Sequence, residues 1–282
     1  MKDKSKLYLT VILLAVLVTT SLAEEQAYED GQKAKREIQR AKTQRQKRIE
    51  EAKMWALGCS AVLAERNHKR HDLLGYYLLP GKREIEKSKQ LLDEWWGINS
   101  RADLFDSLLR LRIGGHREKF NRWGEYIENL SEQEYQELLE KNKGDEEKLQ
   151  EIKIAKKYYK ELGEKSILGW DYSRYICLCR WGYLVGYITE EEAWKMIMEV
   201  AGILQKTFDS WEDLGQNYII GRQFWSYKYT KEGGYLYEDA YQRLLDMPSS
   251  PWNKYPWDMD LTDTATVGEP DETDVVEQNS NN

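Results

Sequence analysis

Apolar residues recur along this chain at helical spacing and nowhere settle into the alternation of a half-buried strand, which removes most fold classes at once. Trp194, Ile197, Ala201, Leu204 and Phe208 form one such stripe behind Thr189-Glu190-Glu191-Glu192, a capping box. Ser210 precedes Trp211, Leu214, Tyr218, Arg222 and Trp225, and Ser100 precedes Leu104, Leu108 and Leu111. Ser131-Glu132-Gln133-Glu134 is a second capping box, and Asn142-Lys143-Gly144-Asp145 is a turn between charged helices. Gly114-Gly115 breaks the chain before His116, Phe120, Trp123 and Ile127. Only 5 prolines and 19 glycines in 282 residues leave too few turns for a sandwich or barrel. The reading is all-α: a single irregular domain of eight to ten helices, with essentially no sheet. Pro248 to Trp257, with three prolines and two tryptophans, reads as an extended strap with its indoles inserted into the helical body.

The ends have different compositions. Lys2, Lys4 and Lys6, an apolar run from Leu7, and small residues at Ser21 and Ala23 have the pattern of a cleaved export signal over 1–23. The expected location is therefore periplasmic or extracellular. The alternative is an uncleaved membrane anchor through residues 7–23, at the short edge of what spans a bilayer. Residues 24–52 read as a charged helical arm whose basic residues are interleaved with acids, so a solvated face is favoured over nucleic-acid binding. Residues 53–257 form the helical domain. From Asp258 to Asn282 eight acids and no base make up a tail expected to be disordered, which leaves the rest of the chain near neutral despite a net charge of −7.

Familiar catalytic motifs are missing: no phosphate-binding glycine loop, HExxH, CxxC or GxSxG occurs. No catalytic residue, cofactor or metal is assigned. Glu65, His68 and His71 have the spacing of half a metal site on one helix face, but nothing supplies the other half. The surplus of tryptophan, 11 against 4 phenylalanines, suits core packing on helical stripes; only Trp95-Trp96 is doubled so that one ring is expected outside. Cys59, Cys177 and Cys179 are open to two readings, a disulfide from Cys59 to one of the others or three small core residues.

Polar residues lying on apolar stripes are the stronger signal. Trp170, Arg174, Cys177 and Trp181 follow one another so that Arg174 sits between two indoles, and Arg222 lies likewise between Tyr218 and Trp225. His116 heads the Phe120–Trp123 stripe, and Arg101 stands at a helix N-terminus, where the dipole disfavours a cation. A guanidinium held against a core needs its charge and donors matched. Either these arginines pair with carboxylates such as Asp171, Asp103 or Glu192, or Arg101, His116, Arg174 and Arg222 converge on an anionic ligand.

These same residues carry a resemblance. Trp96-Gly97-Ile98-Asn99-Ser100-Arg101, Gly115-His116-Arg117, Trp170-Asp171, Arg174, Arg180-Trp181-Gly182, Gly221-Arg222 and Ser250-Pro251-Trp252 occur in an order similar to the bacterial domain of unknown function 1266, over roughly residues 55–257. The resemblance implies one mostly helical domain and brings no activity with it. Arg101, His116, Asp171, Arg174 and Arg222 all fall within the matching motifs. The leading expectation is a non-enzymatic exported domain that binds a partner protein. The alternative is a small-molecule or hydrolytic site for an anionic ligand.

Overall fold

The computed structural model describes residues 2–262, with side chains described at 26 and from 28 onward. In chain order the helices are α1 (Lys2–Gly58), α2 (Ala61–Arg66), α3 (Lys82–Trp96), α4 (Arg101–Ile113), α5 (Arg117–Glu128), α6 (Glu132–Lys141) and α7 (Glu146–Leu162). A short 3-10 turn, Gly163–Lys165, leads into α8 (Leu168–Leu184), α9 (Glu190–Thr207), α10 (Trp211–Trp225), α11 (Tyr227–Asp246) and α12 (Pro251–Lys254). No strand occurs among the described residues, so the chain is all-α.

Helix starts follow local chemistry. Ser131 and Thr189 each accept from the backbone of the residue three positions on, while Glu134 and Glu192 reach back to complete the box. Ser100 and Ser210 cap α4 and α10 in the same way. α11 is two helices joined across a kink at Gly233.

The chain divides into two units, one ending at Glu50 and one beginning at Glu51. The first is a single stretch of α1 whose described side chains are almost all in solvent; Ile38, on the sparse apolar stripe, is 58% exposed. The expected signal at 1–23 falls where no side chains are described, and the acidic tail from 263 on falls outside the described residues. Among the residues whose side chains are described, no helix is long and apolar enough to cross a membrane.

In the second unit the last turns of α1 are buried through Ala52, Trp55, Ala56 and Leu57. Fifteen of the 17 residues of α8 are buried, so this helix has no solvent face to which its charges could turn. It packs against α3, α4, α9 and α10, while α5 lies on α7 and α11 on α2 and α10.

The C-terminal segment corrects one expectation. Pro248–Trp257 is not extended throughout: Pro251–Lys254 makes one helical turn, because Ser250 caps it and Pro251 occupies the first position, where no backbone N–H is needed. The indoles do insert. Trp252 donates to the Gly58 carbonyl (2.9 Å) and Trp257 to that of Phe208 (3.0 Å). In return, Trp55 donates to Pro256 (3.1 Å) and Trp211 to Tyr255 (2.8 Å). The rings interlock, with Trp211 stacked on Trp252 and edge-on to Trp257.

All three cysteines are buried free thiols, so no disulfide is present and they serve as small core residues. Burial pushes each thiol above its ordinary range, which keeps it protonated and unreactive.

Candidate functional site

Asp171 and Arg174 are one turn apart near the start of α8, opposite the α4–α5 turn. That turn depends on Gly115, whose φ of 59° is left-handed and whose missing Cβ would stand 2.2 Å from Asp171 Oδ2. The close approach aims two backbone N–H groups, of His116 and Arg117, at the two Asp171 oxygens, each at 3.0 Å. Arg117 adds a side-chain bond at 3.1 Å and Arg174 another at 2.7 Å. The fully buried carboxylate thus accepts four donors, two of them cationic. Burial alone raises its pKa, but these donors together hold it below the usual carboxylate range.

The second cation, Arg174, is buried too. Its guanidinium lies over the Trp170 ring at 4.1 Å and the Trp96 ring at 5.4 Å. The expected partner Trp181 instead packs near Tyr76, because position 181 lies two turns, about 10 Å, further along α8 than position 174, while the guanidinium leans back toward Trp170. Arg174 donates to the Trp170 carbonyl (3.2 Å) and meets His116 Nδ1 at 2.8 Å. A guanidinium has only donors, so Nδ1 accepts and the imidazole is neutral with its proton on Nε2. Burial first, and then the Arg174 charge, push the His116 pKa down against the pull of Asp171.

The sign of the pH dependence follows. The unfolded chain protonates His116 at its ordinary 6.5, while the folded chain resists, so stability falls as pH drops below that value. Asp171, whose folded pKa is depressed, adds a further loss below 3.8. Urea midpoints between pH 7.5 and 5 are expected to decline, and His116→Gln is expected to flatten that decline.

Arg101 and Arg222 have partners elsewhere. Arg101 is half-exposed, its fork on Glu192 (2.6 and 2.9 Å) and on the Tyr187 carbonyl (3.0 Å). Glu192, held chiefly by the Arg101 bond and then by the Thr189 backbone, falls to about 2. The pair ties the starts of α4 and α9 together. Arg222 is buried, stacks on Tyr237 at 3.9 Å and bonds the Tyr229 carbonyl (3.1 Å) and Thr230 hydroxyl (3.3 Å). It joins α10 to α11. The anion constellation of Arg101, His116, Arg174 and Arg222 is therefore corrected: only His116, Asp171 and Arg174 touch one another, and Arg174 already bonds a carboxylate.

Two basic residues complete the picture without having been singled out from sequence. Arg117 is the other cation on Asp171, beside Arg174; its place next to His116 in the turn was the available signal. Arg180 is fully buried in α8 and bonds the Leu74, Arg70 and Leu73 carbonyls and the Ser60 hydroxyl. Its signal was a charge on a helix with no exposed face. The Glu65–His68–His71 spacing fails because α2 ends at Arg66: His71 bonds Glu65 (2.9 Å) from a loop, and Glu65 also accepts from Arg243 (2.8 Å).

The outer side of α4 is unlike the rest. Leu104, Leu108 and Leu111 face the core, yet Phe105, Leu109 and Ile113 form a second apolar row on the outside, 38%, 55% and 74% exposed. Ion pairs of Arg101 with Glu192 and Arg112 with Glu199 flank it.

A family model described as "Protein of unknown function (DUF1266)" matches residues 91–257, which contain α4, α8 and the Asp171 cluster. The chain belongs to this family. The match begins at Leu91, later than the resemblance drawn from Trp55. Among the proteins similar to this chain are two uncharacterised proteins of Escherichia coli K12. YbeU is 27% identical over 177 residues, covering 56% of this chain and 72% of YbeU. YbeR is 28% identical over 139 residues, covering 48% of this chain and 56% of YbeR. The chain thus spans little more than half of YbeR. No solved structure matches it.

Proposed function

We propose that this DUF1266 chain is a non-enzymatic, exported helical domain that binds a partner protein through the outer face of α4. One observation carries the reading: α4 is apolar on both sides, with Phe105, Leu109 and Ile113 aligned in solvent at successive steps of four. A row of this kind packs into the groove of another helix. The flanking Arg–Glu pairs give the interface a polar rim balanced in charge, which suits an apolar helix face on the partner rather than a charged strip. Export rests on the basic start, the apolar run and the small residues at Ser21 and Ala23.

The test is a photo-crosslinking residue placed at Leu109 in the host cell, with the same residue at exposed Glu232 as control. A discrete adduct with another polypeptide at 109 is expected, lost when Phe105 and Ile113 are changed to glutamate. Adducts no different from the control, or an adduct of twice the chain's own mass, would count against the proposal. An N-terminal sequence starting at Glu24 would support export, and one starting at Met1 would oppose cleavage.

A further inference from the structure

A cavity of about 210 Å³ opens between α2, α3 and the loop that joins them. Leu63, Leu91, Tyr76 and Trp181 supply apolar walls, and Lys69 and Lys87 are its charged lining; none of the lining residues is acidic. That is space for several water molecules, enough for a small organic ligand.

The walls are held in place. Tyr76 has a φ of 66°, rare for an aromatic residue, and is fixed there by Arg180, whose guanidinium stacks on its ring at 3.8 Å. The loop carbonyls of Arg70, Leu73 and Leu74 close on the same guanidinium. All the groups that bond Arg180 are neutral, so a buried positive charge stands behind the Tyr76 wall without a carboxylate bonded to it. Lys69 reaches the Tyr77 hydroxyl and lies 4.3 Å above that ring. Glu65, the acid of α2, is engaged by Arg243 and His71. Apolar walls, two ammonium groups and an acid-free lining favour an anion with an apolar body.

We propose that this cavity binds a small organic monocarboxylate, its apolar body against Tyr76 and Trp181 and its carboxylate between Lys69 and Lys87. The site is distinct from the outer face of α4 and independent of any partner there. The ammonium groups supply charge-assisted hydrogen bonds, which a neutral ligand of the same shape does not receive in full.

The experiment is calorimetric titration of the full chain with phenylacetate and, separately, with phenylacetamide. Phenylacetate is expected to bind about tenfold more tightly than the amide. Lys69→Met with Lys87→Met is expected to erase that preference, and because Lys87 is exposed and Lys69 half-exposed the variant should fold, as circular dichroism would verify. Leu63→Trp, which fills the cavity, is expected to abolish binding of both. Equal affinities, a preference that survives the double lysine change, or no measurable binding of either compound at millimolar concentration would overturn the proposal.

Discussion

Replacing Asp171 with asparagine is expected to cost about 3–5 kcal/mol of unfolding free energy, enough to leave much of the chain unfolded at moderate temperature. Asparagine keeps the size of the side chain but removes the charge and turns one acceptor into a donor. That donor would face either the His116 N–H and Arg174 or the Arg117 N–H and the Arg117 guanidinium, all of which now point at an acceptor. Two guanidinium groups, one wholly buried, would lose their counter-charge. The Coulombic gain of a buried pair only roughly offsets the desolvation of its members, so the cost lies in breaking the pair rather than in lacking one. Urea unfolding followed by tryptophan fluorescence measures it. A loss below about 1 kcal/mol would mean that the carboxylate is much less enclosed than its geometry indicates.

The second large effect is expected at Trp252. Its ring is 6% exposed, stacks on Trp211 and donates to the Gly58 carbonyl at the end of α1. Trp252→Ala removes that bond and leaves a void between the C-terminal segment, α1 and α10, at a cost of about 3–5 kcal/mol. The loss should extend beyond the one side chain. Without Trp252, the hydrogen bonds of Trp55 to Pro256 and of Trp211 to Tyr255 lose the element that holds their acceptors in place. Hydrogen exchange should accelerate in residues 250–257 and in the last turns of α1 together. Faster exchange confined to 250–257 would show that the segment is only laid on the surface.

These two features differ in how far the sequence reveals them. Trp252 and Trp257 were legible because proline excludes a long helix and an indole near a chain end has little reason to be there unless it is buried. The turn at 251–254 was not, since one capped turn of four residues has no periodicity to read. Asp171 and Arg174 were legible as a pair because they stand three apart on a helix whose only other charge is Arg180. Arg117 was hidden because its partner is 54 residues away, and only the Gly115 turn brings the two together.

Arg101 and Arg222 show the opposite failure. Their place on a stripe suggested a common inward direction, but long side chains carry their charge away from their own Cα. Arg101 runs out along the surface to Glu192, and Arg222 runs across to α11. The exposed row on α4 escaped notice for a related reason. Periodicity picked out Leu104, Leu108 and Leu111, and nothing in the spacing shows that the neighbouring Phe105, Leu109 and Ile113 lack a partner within the chain.

We propose that the charged cluster on α8 is a frame for the fold and that function resides on the surfaces it supports. A double-mutant cycle over Asp171→Asn and Arg174→Met, measured by urea unfolding at pH 7.5, tests this most directly. A frame requires Arg174→Met to be destabilising alone and much less costly once Asp171 is gone, with a coupling of about 1.5 kcal/mol or more. A site kept for a ligand stores repulsion instead, so Arg174→Met at least as stable as the natural chain, with no coupling to Asp171, would contradict the account.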